Sequence, residues 1–149
     1  MLKLSVVSVF GQVFLSHFDY LFDLRRGRLV FGSNIDPPGI RVPLLEIEGL
    51  PAVSTSMGPL IVDSGAQELT LYKSTVFNGE TLTMYTYAGP VKATVQGAGP
   101  LMISSRKVPY GKALVLPCKL QPTAIPGLLP VSLFNSVYIS NSGRYAVLY

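Results

Sequence analysis

Asp63-Ser64-Gly65-Ala66 follows the apolar run Leu60-Ile61-Val62, and this is the one stretch of the chain whose residue types and order could do chemistry. An apolar strand that ends in a carboxylate holds that group at a fixed point, where it can give or take a proton. Ser64 adds a small hydroxyl, and Gly65 leaves room for a second backbone to come close. The same acid can instead cap its own turn through its side chain, so four residues alone leave two readings open. Ser64 is a poor nucleophile candidate, because no Gly-x-Ser-x-Gly elbow surrounds it. A Ser-His-Asp set would depend on His17, the only histidine; nothing beside it supports one, and an exposed or helix-end histidine is expected. Asp19, Asp23, Asp36, Glu46, Glu48, Glu68 and Glu80 are scattered without metal-ligand spacing. Cys118 stands alone, which forbids an internal disulfide and a thiolate cluster and suggests a buried, inert thiol. No metal and no cofactor is expected.

The elements that must position this turn are short. Tyr20 to Leu24 and Leu29 to Phe31 read as two strands around an Arg/Gly tip. Asn34-Ile35-Asp36-Pro37-Pro38-Gly39 then stops any strand. We therefore divide the chain into residues 1–33, a Pro/Gly linker at 34–40, and a main region at 41–149. In the main region Val42 to Ile47 reads as one strand, Pro59 to Val62 enters the Asp63 turn, and Glu68 to Tyr72 leaves it. Thr81 to Tyr87 and Val91 to Gln96 flank Ala88-Gly89-Pro90 as a hairpin. Leu101 to Ile103 and Lys112 to Leu116 follow. Val137 to Ile139 and Tyr145 to Leu148 flank Asn141-Ser142-Gly143 as another hairpin. Pro130 to Asn135 is the one helical candidate of note. Many short strands with regular turn signals predict an all-β barrel or sandwich.

There is also a faint internal repeat. Val9-Phe10-Gly11 opens a segment that reaches Gly27-Arg28-Leu29-Val30, and Leu128-Leu129-Pro130 opens one that reaches Gly143-Arg144-Tyr145. The two spacings differ by three residues, so two ordinary hairpins are the competing reading.

Composition narrows the partners. The chain has 149 residues, enough for one sizeable core, and is 48% hydrophobic but only 13% charged. So few charges leave a neutral surface that often covers an interface. The net charge is +4, and its densest basic run is Arg25-Arg26-Gly27-Arg28. Nucleic-acid recognition normally needs a wider basic stripe, so a solvated hairpin tip is expected there and no nucleic-acid partner. Met1 to Leu15 is partly like a signal peptide, but no small-x-small cleavage site follows. Gly11-Gln12 breaks the run, which is too short to span a bilayer. The compartment stays open.

The motifs resemble the pepsin and retropepsin group of aspartic proteases over roughly Arg41 to Tyr149. Leu60-Ile61-Val62-Asp63-Ser64-Gly65-Ala66 is similar to the family's strand and active-site turn. Leu128-Leu129-Pro130 resembles its apolar-apolar-Gly segment, with Pro130 in place of glycine, and Val131 to Asn135 matches the short helix that follows. Val9-Phe10-Gly11 and Phe14 to Phe31 resemble the end of another such lobe. The resemblance implies a retropepsin-like β-barrel lobe with one short helix, preceded by the closing helix and hairpin of a partial first lobe, or by an N-terminal extension over residues 1–33 that closes the sheet of a retropepsin-like dimer. It implies that Asp63 is one of two catalytic carboxylates that share a proton and activate water, cutting a peptide or protein substrate. Ser64 would bond across to a facing turn and Gly65 and Ala66 would complete it, while Tyr85 and Tyr87 would sit on a flap formed by Thr81 to Gln96. The second carboxylate must come from elsewhere, either a copy in a homodimer or an upstream lobe. A non-catalytic peptide- or protein-binding module of the same fold is the alternative.

Overall fold

Glycine, proline and small polar residues interrupt the apolar runs every few positions, which favours short strands over helices. The computed structural model describes residues 11–73, 79–86, 89–117 and 125–149. Among these the protein is all-β, with fifteen strands, one four-residue helix, α1 (Gln12–Leu15), and a 3-10 turn at Val131–Leu133. No helix among them is long and apolar enough to cross a membrane.

One sheet has five antiparallel strands. Its members are β1 (Tyr20–Asp23), β2 (Arg28–Phe31), β3 (Ile40–Pro43), β14 (Ser136–Ser140) and β15 (Tyr145–Leu148), in the order β2-β1-β14-β15-β3. The hairpin from the first 33 residues therefore pairs directly with the last hairpin of the chain, Leu21 opposite Tyr138 and Phe22 opposite Val137. The second sheet has eight strands: β4 (Leu45–Ile47), β5 (Leu50–Thr55), β6 (Gly58–Asp63), β7 (Leu69–Lys73), β8 (Thr81–Thr86), β9 (Gly89–Gln96), β12 (Ala113–Pro117) and β13 (Gly127–Pro130). Their order is β4-β5-β6-β13-β7-β12-β9-β8. A hairpin of β10 (Gly99–Ile103) and β11 (Arg106–Tyr110) completes the set. Both large sheets are open, with β2 and β3, and β4 and β8, at their edges.

Two expectations need correction. The strand expected over Val42 to Ile47 is two strands in different sheets. Pro43 has no N–H to carry a ladder onward, and Leu44 gives its N–H to the Arg144 carbonyl at 3.0 Å. The helix expected over Pro130 to Asn135 is only the 3-10 turn. Phe134 is extended (φ −123°, ψ 156°), and the Asn135 N–H leaves the helical ladder for the Tyr149 carbonyl at 2.6 Å. Val9, Phe10 and Cys118 lie outside the described residues.

One core joins the sheets. Leu60, Leu69, Leu129, Leu101, Ile103, Ile139 and Leu148 are all fully buried within it, each contributing roughly 1.5–3 kcal/mol relative to exposure. One of its tight points is Gly127, where β13 lies between β6 and β7. A Cβ there would stand 2.4 Å from the Thr70 carbonyl oxygen and 2.8 Å from Leu60 Cδ2.

A polar clamp fastens the N-terminal segment to the last hairpin. Asp19 is buried, and its carboxylate accepts hydrogen bonds from the Ser142 N–H at 2.8 Å, the Ser142 hydroxyl, and the Ser140 hydroxyl at 3.2 Å. Asn141 donates to the carbonyls of Leu15 and Phe18 at 3.2 and 2.6 Å. Burial opposes the charge on Asp19, but the bonds from Ser142 and Ser140 outweigh it and hold the carboxyl below its usual range.

Two outcomes follow from this packing. Gly127→Ala should destabilise the protein by about 3 kcal/mol in denaturant titration, because the clash is with backbone that cannot move aside. Gly97→Ala, where nothing lies within 4 Å, should change stability by less than about 0.5 kcal/mol. Because Asp19 titrates lower when folded than unfolded, its contribution is present above the ordinary carboxylate pKa of about 3.9 and is lost as pH falls through the lower, folded value. Asp19→Asn should therefore flatten the acid limb of stability against pH, measured by thermal melts between about pH 2 and pH 6.

Candidate active site

The turn at Asp63 is built by three strands. The β5–β6 hairpin closes through a two-residue turn, with the Thr55 hydroxyl donating to the Gly58 carbonyl at 2.7 Å and accepting from the Met57 N–H at 3.0 Å. Gly58 takes φ 96°, a conformation that a side chain resists. Strand β6 is then buried at Leu60, Ile61 and Val62, as a strand covered on both faces must be. It emerges at Asp63, which is half-buried, and at Ser64 and Gly65, which are exposed.

Strand β13 fixes the exit of that strand. It runs parallel to β6, with Leu128 opposite Ile61, Leu129 opposite Val62 and Pro130 opposite Asp63. On its other side it runs antiparallel to β7, with Gly127 opposite Leu71 and Leu128 opposite Thr70. The chain thus goes up β6, turns through residues 64–68 and returns along β7, while a distant strand fills the slot between the two arms. Pro130 is buried beside Asp63 and ends its strand there, a position that tolerates the missing N–H.

Within the turn, the Asp63 Oδ1 accepts the Gly65 N–H at 2.7 Å. A Cβ on Gly65 would lie 3.3 Å from that oxygen, so glycine gives the carboxylate its room. The Ser64 hydroxyl bonds to nothing among the described residues, and Ala66 is half-buried. Glu68 closes the far side of the turn through an ion pair with Lys112 at 3.4 Å. Among the described residues no second carboxylate bonds to Asp63, and no group of three or more His, Cys, Asp or Glu gathers anywhere as a metal set would.

The other candidates lie elsewhere. Tyr85 is 86% exposed on β8, five places from β6 in sheet order, and no bond among the described residues ties it to the turn. Tyr87 lies outside those residues. A cavity of about 440 Å³ is lined by Ser16, His17, Phe18, Asp19, Gly32, Ser33, Asn141 and Ser142, none of them from the turn. His17 is an exposed wall of that cavity, and Asp19 accepts the Ser142 hydroxyl directly, so no histidine mediates between them. Arg26 and Arg28 both pair with Asp23, at 3.2 and 2.9 Å, which reduces the basic run at the hairpin tip.

Two structural residues escaped the reading of the sequence. Gly127 does the close approach that the pattern assigned to position 130, and its signal was a glycine directly before Leu128-Leu129. Asp19 is, with Asp23, one of the acids buried among the described residues, and only its polar neighbours 121 and 123 residues downstream explain it. No protein-family model matches this chain, and no curated protein matches it in sequence.

The hydrogen bond from Gly65 sets what substitution should do. Asp63→Asn keeps an oxygen acceptor and should hold stability within about 0.5 kcal/mol, whereas Asp63→Ala should lose about 1 kcal/mol. Thermal melts of the two variants check the difference.

Proposed function

We propose that this chain is one lobe of an aspartic endopeptidase with a retropepsin-like fold. The observation that carries the reading is the arrangement of β6, β13 and β7 around the Asp63 turn. An acid, a hydroxyl residue and a glycine stand at the exit of a buried strand, with a distant apolar strand ending beside them. The register of β13 between β6 and β7 supports this reading beside the sequence.

The chemistry needs a second carboxylate. Two such groups about 3 Å apart cannot both ionise at low cost, so one keeps a proton and the pair titrates as a unit. The ionised member removes a proton from water as the water attacks the peptide carbonyl. The protonated member donates to the carbonyl oxygen. Asp63 supplies one of the two groups, and its facing turn comes from a copy of this chain or from an upstream lobe. Ser64, exposed and without a hydrogen bond among the described residues, is placed to reach across to that turn. The half-buried carboxylate in an exposed turn leaves a face on which such a partner can seat, and the partner would close the substrate cleft.

Assembled protein should therefore cleave an unstructured peptide at about pH 3–5, where one carboxylate of such a pair is protonated and the other is not. The activity should be blocked by pepstatin and reduced roughly 10²–10⁴-fold by Asp63→Asn. Cleavage that survives that substitution overturns the reading. Peptide binding without turnover across the same range would instead make the chain a binding module, which its single carboxylate also favours.

A further inference from the structure

Residues 14–32 and 131–149 form the same substructure, with residue n in the first answering to residue n + 117 in the second. Each hairpin has a four-residue loop, closed by Asp23 opposite Arg28 and by Ser140 opposite Tyr145. Each loop ends in a left-handed residue, Gly27 at φ 60° and Arg144 at φ 57°. The Gly32 N–H donates to the Asp19 carbonyl at 2.9 Å, as the Tyr149 N–H does to Ser136 at 3.0 Å. His17 bonds back to Phe14 at 3.2 Å, as Phe134 does to Val131 at 3.0 Å. Leu21 pairs with Tyr138, its own counterpart, so an internal twofold axis passes between them.

The symmetry fails at one place. The outer edge of β15 is taken by β3, with Ile40 opposite Leu148 and Val42 opposite Ala146. Among the described residues nothing pairs with the equivalent edge of β2. The consequence shows in exposure: Leu148 is fully buried, while its counterpart Phe31 is 42% exposed. Val131 is buried, while its counterpart Phe14 is 42% exposed. Phe14, Phe18 and Phe31 lie against one another, with ring centroids 5.0–6.1 Å apart, and so make one aromatic ledge beside a bare strand edge.

The occupied edge shows what the bare one should take, and the residue differences show how it must vary. At β15, Arg41 stacks on Tyr145 at 3.4 Å and Glu46 pairs with Arg144 at 3.2 Å. At β2, Arg28 replaces Tyr145, and Arg25 is exposed without an ion pair among the described residues. Three arginines against the one carboxylate of Asp23 leave the tip at +2. A basic residue at the Arg41 position would be repelled there and an acid attracted.

We propose that the outer edge of β2 is a docking site for an extended segment of another polypeptide chain or lobe. It would be apolar at two alternate positions, acidic between them, and acidic again a few residues on. The strand adds antiparallel to β2 and gives it main-chain hydrogen bonds. Its first apolar side chain packs on the phenylalanine ledge, its central acid meets Arg28, and its later acid lies at the hairpin tip, where the arginines leave a positive charge. A partner that completes the Asp63 site would bring such a strand, but the strand binds whether or not anything is cut.

The probe is a fluorescein-labelled peptide with the sequence of residues 38–47 carrying Arg41→Glu, titrated against the whole chain by fluorescence anisotropy. Because Gly32 bonds inward to Asp19, the alternation of an antiparallel ladder turns the N–H groups of Leu29 and Phe31 outward. By the same register the N–H of Val42 in the peptide should face β2, and that of residue 41 should face away. Methylating the Val42 nitrogen should weaken binding at least about tenfold, while methylating that of residue 41 should leave it within about twofold. Restoring Arg41 should weaken it about fivefold or more. Equal binding of the two methylated forms, or no binding of the parent peptide, overturns the proposal. So does a dimer in sedimentation that Leu29→Pro dissociates, because the edge would then belong to a second copy. Proteolysis is not measured in any of these arms, so loss of binding and loss of the Asp63 chemistry are read separately.

Discussion

The close passage of β13 between β6 and β7 is the constraint on which the rest of the structure depends. Without it, the two arms on either side of the Asp63 turn would be neighbours joined by a simple hairpin. With it, they stand one strand apart, and the turn must bridge that gap. The bridge brings the carboxylate to the end of a buried strand but leaves the turn itself open to solvent. Gly127 makes the passage possible, since any side chain there meets the Thr70 carbonyl oxygen at 2.4 Å. An interior packed to crystalline density offers no slack at such a point.

The five-stranded sheet solves a different problem, that of holding the N-terminal segment in place. That segment has α1 and one hairpin, too little to bury a core of its own. It gains a core by laying β1 against β14, where Tyr20 is 2% exposed and burial pushes its phenol up to about 12. The Asp19 carboxylate then ties it across to Ser140 and Ser142. That carboxylate titrates below its usual range, so the tie weakens only as pH falls through that lowered value.

Much of the strand content was legible because alternation and turn residues are local signals. Tyr145 to Leu148 was read to the residue, and the hairpins at Gly27 and Gly143 were placed correctly. What was not legible depends on partners far away in sequence. Strand β5 reads poorly because Pro51, Ser54 and Thr55 dilute its apolar run, and it exists because β4 and β6 flank it. Strand β11 contains Arg106, Lys107 and Pro109, and forms against β10. The repeat was visible but misaligned, by one residue at its Gly-Arg end and by two at its opening. Matching Gly27-Arg28 to Gly143-Arg144 is natural by letter, yet the backbone matches Gly27 to Arg144, because the shared property is a left-handed φ and not a residue type. At the site, the Asp63 turn was legible and its glycine partner was not, since a close approach is a property of two segments.

The internal twofold bears on why one carboxylate could be enough for each lobe. The axis between Leu21 and Tyr138 relates two hairpins of unequal completeness. One is followed through by β3 and the whole body that carries Asp63; the other has, among the described residues, an unpaired edge and an aromatic ledge. A body docked on the bare side and related by the same axis would present its own strand-exit turn toward the first. The two turns would then approach through their glycines, the residues that leave space for it. On the proposed reading, the shared proton, the cleft and the sixth strand of the sheet would all arise from a single docking event.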